Sequence, residues 1–469
     1  VYRPEAAQQQ WWSCTVAARQ EHAMSTPSRA GTLDDAYRTC NHNKPLESDD
    51  DRYQDLSSAR GDNTAASIKA RLTRSEPGDF VHVAFVSHRG AGKTTEIFRV
   101  CDHLRHSHFS YYFEANLQLD ERHITTEDLF LTLALGVEEH FEKNEMPLPN
   151  ELVAAVHRWF SEVVKTTEWG KELSGALETQ GSVGGEIPFF ASVKAELKAL
   201  LRTESKYREQ VQDAFRRYPG TLLRHVNNLL DAANERLGDR QLLVVIDNLD
   251  RYDPKVVDDL LFRAGRPIRD LRCHLIVTPP IALYYKPLSE PIHRAFHPEL
   301  MNTVRLRRKE QGYGEFDPQS PGRKVLLAAL DKRMEVSKLI PDAAAQNRLV
   351  SASGGAIRDL LRLVREAILL APVAALDFAT IDRAAARLRI DMRDRINANG
   401  WAPTLARVMR EHQVNDDPVC MDVLYQQLAL KYNGEGWYDV HPLVAEIPEV
   451  RDAHAKALGE SAEPLPKAH

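Results

Sequence analysis

Phe80-Val81-His82-Val83-Ala84-Phe85-Val86-Ser87-His88-Arg89-Gly90-Ala91-Gly92-Lys93-Thr94 is the stretch whose reading decides the fold. An apolar run reads as a buried strand over 80–86. A glycine loop follows, and then helical patterning from about Thr94 to Leu104. Gly90 and Gly92 let the backbone curl so that several N–H groups converge on one anion. The N-terminus of the following helix adds its partial positive charge there. The spacing matches the phosphate-loop pattern GxxxxGK[ST] except that Ser87 holds the first glycine position. A glycine turn with an incidental Lys-Thr is the plain alternative, and the strand before and helix after weigh against it.

The expected ligand is therefore a nucleoside triphosphate, ATP, with Mg²⁺. The loop residues Arg89, Gly90, Ala91, Gly92, Lys93, Thr94 and Thr95 are the expected phosphate contacts. Lys93 bridges the β- and γ-phosphates in this reading, and Thr94 gives its hydroxyl to the metal. An acidic partner for that metal ends the clearest buried strand, Gln241-Leu242-Leu243-Val244-Val245-Ile246-Asp247. Asp247 is expected to hold Mg²⁺; a strand-end turn residue is the other reading. The next residues are Asn248-Leu249-Asp250-Arg251. Asp250 is the next available carboxylate for polarising an attacking water, and it could equally cap the helix that follows.

Further along, Thr278 ends the strand His274-Leu275-Ile276-Val277, where a polar side chain can orient the lytic water or simply close the strand. Arg358, in Gly354-Gly355-Ala356-Ile357-Arg358, opens a helix and is a candidate for reaching a γ-phosphate; a solvated helix arginine is the alternative. Arg294 is a candidate arginine finger acting between subunits, against the default of a solvated surface arginine.

Strands alternating with helices imply an α/β fold with a mostly parallel sheet. Further strands are expected at 109–119 and 301–306, and helices at 64–76 and 256–271. The segment 125–237 reads as a mostly helical insertion. Its run Leu129, Leu131, Leu133, Leu135, Val137 is taken as helix, although a spacing of two also fits a strand. The division expected is an extended N-terminal arm over 1–62, a core over 63–320, a helical lid over 321–395 and a last domain over 396–469. In that last domain two helices precede 428–432 and 437–440, joined by Asn433-Gly434, a hairpin signal. Two helices and a hairpin imply a winged-helix-like module. Residues 1–23 are set aside as an alternative-start extension, since Met24 is a plausible start.

The chain has 469 residues, 43% hydrophobic and 27% charged, with a formal net charge of −6. Such a charge offers no broad attraction to nucleic acid. The five cysteines are scattered, which argues against a disulfide framework or zinc site and for a reducing, cytoplasmic setting. No apolar stretch has the roughly 18 residues of a membrane span. His82, His88, His103, His106 and His108 lack a recognised metal-ligand spacing and read as surface or core histidines.

The motifs 88–96, 245–251, 353–363 and 433–444 together resemble the AAA+ superfamily of P-loop ATPases. More narrowly they resemble bacterial ATPases related to origin-recognition initiators and to STAND-type signalling ATPases. Many AAA+ ATPases place Glu directly after the strand-end Asp; here that position is Asn248. The resemblance implies an ATPase core, a helical lid, a winged helix and nucleotide-dependent self-assembly into a homo-oligomer. It also implies work beside a protein effector on another chain, as in bacterial defence against phage. Three functions compete: an oligomerising ATPase switch, a DNA-binding ATPase like an initiator, and a nucleotide-stabilised scaffold. Residues 396–469 carry six Lys/Arg and eleven Asp/Glu, a net of −5, which disfavours a DNA-gripping wing. The arginines 383, 387, 389, 393 and 395 are interspersed with acids and read as a solvated face. The glycine-rich stretch 175–190, ending in Phe189-Phe190, is the expected partner loop.

Overall fold

The computed structural model describes residues 29–76, 78–120, 124–164, 213, 219–263, 266–285, 290–309, 319–371, 374–415, 417–432 and 437–460. The expected partner loop 175–190, the Asn433-Gly434 turn and residues 1–23 lie outside them.

Five parallel strands form one sheet: β1 (His82–Val86), β2 (His108–Glu114), β3 (Gln241–Asp247), β4 (His274–Val277) and β5 (His297–Leu300), in the order β2-β3-β4-β1-β5. β1 is buried along its whole length, and β3 from Leu242 onward, which explains their unbroken apolar runs. Side chains alternate between two layers. Val83, Phe85, Leu243, Val245 and Ile276 pack on the helix Lys93–Leu104 through Ile97, Val100 and Leu104. Ala84, Val86, Leu242, Val244, Ile246 and Val277 face the other layer, which holds the helices Thr126–Lys143 and Pro219–Leu237. The architecture is an α/β fold, a five-stranded parallel sheet covered by helices on both faces, with a helical region after it.

The leucine run is helical. Leu129, Leu131, Leu133, Leu135 and Val137 all lie buried in Thr126–Lys143, which a Thr125/Asp128 capping box starts. A helix buried nearly all round shows no clean 3.6 period, so its apolar spacing also fits a strand.

Several boundaries differ from the sequence reading. β2 stops at Glu114, and Ala115–Gln118 turns helical. The last strand of the sheet is His297–Leu300, not 301–306. It is an edge strand beside β1, where Pro298 is tolerated and apolar residues on both faces are not required. The segment after β3 is broken: a helix Pro254–Asp258 widens to a π-turn over Asp259–Arg263, and a 3₁₀ segment follows at Arg266–Asp270. The described part of the N-terminal segment is folded rather than extended. Its helix Leu33–Thr39 packs on the helix Ile357–Leu370, and Ala30 pairs with the backbone of Arg333 and Glu335. Ala36, Cys40, Leu56 and Ala59 join the main core.

Beyond the sheet come helices Pro321–Asp331, Ala343–Ala352, Ile357–Leu370 and Phe378–Asn399. Helices Ala402–Glu411 and Pro418–Tyr425 then precede an antiparallel pair, β6 (Ala429–Lys431) and β7 (Tyr438–Val440). The chain runs from β5 across to this pair, where the Thr303 N–H donates to the Lys431 carbonyl at 3.1 Å.

Candidate functional site

The carboxyl ends of the parallel strands gather the polar residues that the core rejects. β1 delivers Ser87 to the loop, and the helix beginning at Lys93 leaves it. Gly90 has φ +74° and Gly92 φ +103°, the left-handed region where a side chain is strained. Gly90 is needed for space as well, since a Cβ there would lie 2.4 Å from the Cβ of Arg358.

Lys93 is buried, and its Nζ lies 2.6 Å from Asp250 Oδ2. The ammonium also donates to the Ser87 hydroxyl at 3.0 Å and to the carbonyls of Ser87 and His88 at 3.2 Å. Asp250 therefore caps no helix; Asp253 does that, accepting from the Lys255 N–H. Asp250 is instead the counter-ion of Lys93.

Asp247 is 1% exposed and takes four donors. The Thr94 hydroxyl reaches Oδ2 at 2.6 Å and the Tyr112 hydroxyl reaches it at 3.0 Å. The Thr278 hydroxyl and the Asn248 N–H each reach Oδ1 at 2.8 Å. Thr94, Asp247 and Thr278, far apart in sequence, thus form one cluster. Burial, reinforced by the Asp247 charge, holds the Tyr112 phenol far above its usual range, so it stays protonated.

Arg358 lies over the loop: its N–H donates to the Gly90 carbonyl at 3.1 Å. Burial pushes its guanidinium down, and the Asp250 charge opposes that. Thr95 accepts from the Leu46 N–H at 3.1 Å, so the N-terminal segment reaches the helix start. Arg89 stacks on Tyr425, its guanidinium carbon 4.1 Å from the ring centre, and its carbonyl accepts from Gln427 Nε2. Arg294 sits on the helix Glu290–Ala295, just before β5. Because the strands are parallel, that is the sheet edge opposite the loop, and Arg294 is not among the residues gathered at its own chain's loop.

Several participants carried no sequence signal of their own. Arg60, 4% exposed, donates to the Ala91 carbonyl at 2.5 Å. The Lys431 N–H donates to His88 Nε2 at 2.9 Å, and burial pushes that imidazole down to about 3, so it is neutral. Tyr112 and Glu114 share one face of β2 by the period-two rule. Only the β2–β3 register, which pairs Glu114 with Asp247, brings them here.

No family model matches this sequence, and no curated protein matches it. Solved structures do align with it over most of its length. A Walker-type ATPase of Pyrococcus abyssi shares 12% identity at a TM-score of 0.44, covering 88% of this chain and 99% of that one. The ORC2 protein of Aeropyrum pernix, in ADPNP–ADP complexes, shares 11% at 0.38, covering 91% and 98%. The RuvB Holliday junction branch migration motor of Thermotoga maritima shares 10% at 0.33, covering 89% and 99%.

Proposed function

We propose that this chain binds ATP with Mg²⁺ and hydrolyses it, acting as an oligomerising nucleotide switch. The observation that carries the reading is the paired clusters at one sheet edge: Lys93 with Asp250, and Thr94 with Asp247. Both lie beside a loop with Gly90 and Gly92 in the left-handed region. Each is an arrangement whose partner phosphate or cation can replace. The β- and γ-phosphates take the Lys93 ammonium from Asp250, while the loop amides and the helix N-terminus bind the remaining phosphate oxygens.

The residues fit Mg²⁺. One hydroxyl and one carboxylate 2.6 Å apart match a hard cation that keeps waters and takes its other ligands from phosphates. Among the described residues no group of three or more His, Cys, Asp or Glu side chains could hold a metal unaided. Bound there, the ion supplies charge neutralisation between the phosphates. Thr278 fixes the Asp247 carboxylate, and Arg358 faces the loop from the lid.

The switch is built from contacts that other parts of the chain make with the loop. Arg60, Arg358, Gln427 and Lys431 each hold a backbone or side-chain atom of residues 88–91. A loop that rearranges around phosphate pulls on all four. Self-assembly brings Arg294 of one copy toward the site of another in this proposal. The effector on a second chain and the place in antiviral defence rest on the motif resemblance, and the cytoplasmic setting rests on the five scattered cysteines. Among the described residues no helix is long and apolar enough to cross a membrane.

DNA binding remains the second reading, and the surface does not favour it. Arg389 and Arg393 pair with Glu446 and Glu449, and Arg395 bonds to Gln426. These arginines are engaged within the chain.

ATP affinity, ATP turnover and particle mass, measured on wild type and Lys93→Ala with and without Mg²⁺, test the proposal. Wild type turns ATP over and grows into a defined oligomer, and the variant does neither. Equal ATP affinity in the two proteins would refute the assignment of the loop.

A further inference from the structure

We propose that Arg89 reads the γ-phosphate from within the same chain, and that Tyr425 of the C-terminal module is the platform that aims it. The inference rests on the ATP-binding reading above and deepens it. It goes from a loop that holds phosphate to a side chain that tells a triphosphate from a diphosphate.

Two arginines meet the phosphate loop in different ways. Arg60 lies at the Ala91–Gly92 end, where its guanidinium donates to the Ala91 carbonyl and stands 3.5 Å from the Glu96 carboxylate. Its charge is met by an acid. Arg89 is half-buried, and its partner is an aromatic face: the guanidinium carbon lies 4.1 Å from the centre of the Tyr425 ring. Stacking occupies the plane of a guanidinium and leaves its N–H edges for acceptors. The Arg89 Nε–H is buried and has no hydrogen-bond partner among the described residues. Buried donors are rarely left that way. A phosphate oxygen is the acceptor this place on the loop offers, and the planar fork suits two such oxygens.

The contacts around Arg89 point to the terminal phosphate. The Tyr425 hydroxyl donates to the Arg251 carbonyl at 3.0 Å, which fixes the ring. Arg251 follows Asp250, whose carboxylate is 2.6 Å from the Lys93 ammonium. Arg89, Tyr425, Arg251, Asp250 and Lys93 are therefore joined neighbour to neighbour around one spot, and Lys93 is the residue given to the β- and γ-phosphates. Arg358 shares that spot, its side chain running along Gly90. Burial lowers its guanidinium, Asp250 and Asp359 oppose the shift, and Arg251 and Arg89 add to it. Arg89, Arg251, Arg358 and Lys93 thus face Asp250 and Asp359, and Lys93 already engages Asp250. The surplus of positive charge suits an anion that brings several charges at once, as a terminal phosphate does.

Arg89 needs no second chain to act in this way, unlike a finger supplied between subunits. Its platform belongs to the C-terminal module, so recognition of the triphosphate depends on how that module is docked. A stack that only fastened the module to the loop would bear on ADP and ATP alike. A γ-phosphate contact bears on ATP alone.

The test uses the full chain, with equilibrium binding of ADP and of the non-hydrolysable β,γ-imido analogue of ATP, both with Mg²⁺. Wild type prefers the triphosphate. Arg89→Ala weakens triphosphate binding roughly 10–100-fold, the loss of a charge-assisted hydrogen bond, and leaves ADP within about threefold. Tyr425→Leu leaves the loop residues intact and moves the same ratio in the same direction by a smaller factor. Tyr425→Phe keeps the ring and stays nearer wild type. Equal losses for both nucleotides in Arg89→Ala make the stack a structural fastening and overturn the proposal, as does an undiminished triphosphate affinity. Should Arg89→Ala fold poorly, the Tyr425 variants decide, and a ratio unmoved in Tyr425→Leu overturns the platform. A wild type that binds both nucleotides equally overturns the γ-phosphate contact and leaves the nucleotide-binding reading intact. A wild type that binds neither overturns both.

Discussion

The two edges of the central sheet bury polar groups in opposite ways. At the amino ends of the strands stand His82, His108, Gln241 and His274, the first residues of β1, β2, β3 and β4. His274 Nδ1 accepts the Val81 N–H at 3.0 Å, and its Nε2 meets the Gln241 side chain. The His82 ring nitrogen lies 3.2 Å from the carbonyls of Leu271 and Cys273. Burial pushes His274 down to about 4, and lowers His82 and His108 as well, so these rings are neutral. At the carboxyl ends the buried groups include ions, Lys93 with Asp250 and Asp247 among hydroxyls. Neutral rings bonded to backbone, as those of His82 and His274 are, offer nothing for a ligand to exchange. Buried ions do, because each partner can be traded for phosphate or metal, and removing one without replacement is costly.

That contrast can be broken from either edge. The largest effect is expected at Asp247. Asp247→Ala strips the acceptor from Thr94, Tyr112, Thr278 and the Asn248 N–H together, and should cost about 3 kcal/mol in denaturant unfolding. It should also abolish the Mg²⁺ dependence of ATP binding. A variant as stable as wild type and still Mg²⁺-dependent would contradict the role given to the cluster.

Acid attacks the opposite edge. His274 has a folded value of about 4 against 6.5 for the free side chain, so the unfolded chain binds its proton first. Stability is then fully present above about pH 6.5 and falls toward pH 4. At pH 5 His274 alone accounts for about 2 kcal/mol. Burial also pushes His140 down to about 4, and it adds to the same slope. Melting temperatures across this window check the sign, and His274→Gln should flatten the slope. A flat profile in wild type would mean these rings are not buried neutral.

The smallest effect probes the link between the loop and the C-terminal module. Gln427→Ala removes one hydrogen bond to the Arg89 carbonyl, worth about 1 kcal/mol. Its consequence should appear in ATP affinity rather than in the acid slope, and an unchanged affinity would argue that the module does not sense the loop.

Much of this was legible in the chain itself. Phe80 to Thr94 and Gln241 to Asp247 announced strand, loop and acid, because buried central strands must be apolar and the phosphate loop needs glycine at fixed offsets. The hairpin around 428–440 was legible for a similar local reason, alternating apolar segments around a turn signal. Edge elements were not. His297–Leu300 hides in a polar, proline-containing stretch because an edge strand is required to be apolar on one face only.

The sequence by itself determined where phosphate chemistry could occur, since loop curvature, helix start and the Lys-Thr pair are set by neighbours a few residues apart. Which carboxylate meets Lys93 and which hydroxyls saturate Asp247 were decided only by the packing of parallel strands. Strand order and register join residues more than a hundred positions apart, and no local pattern encodes a register whose partner strand lies so far along the chain.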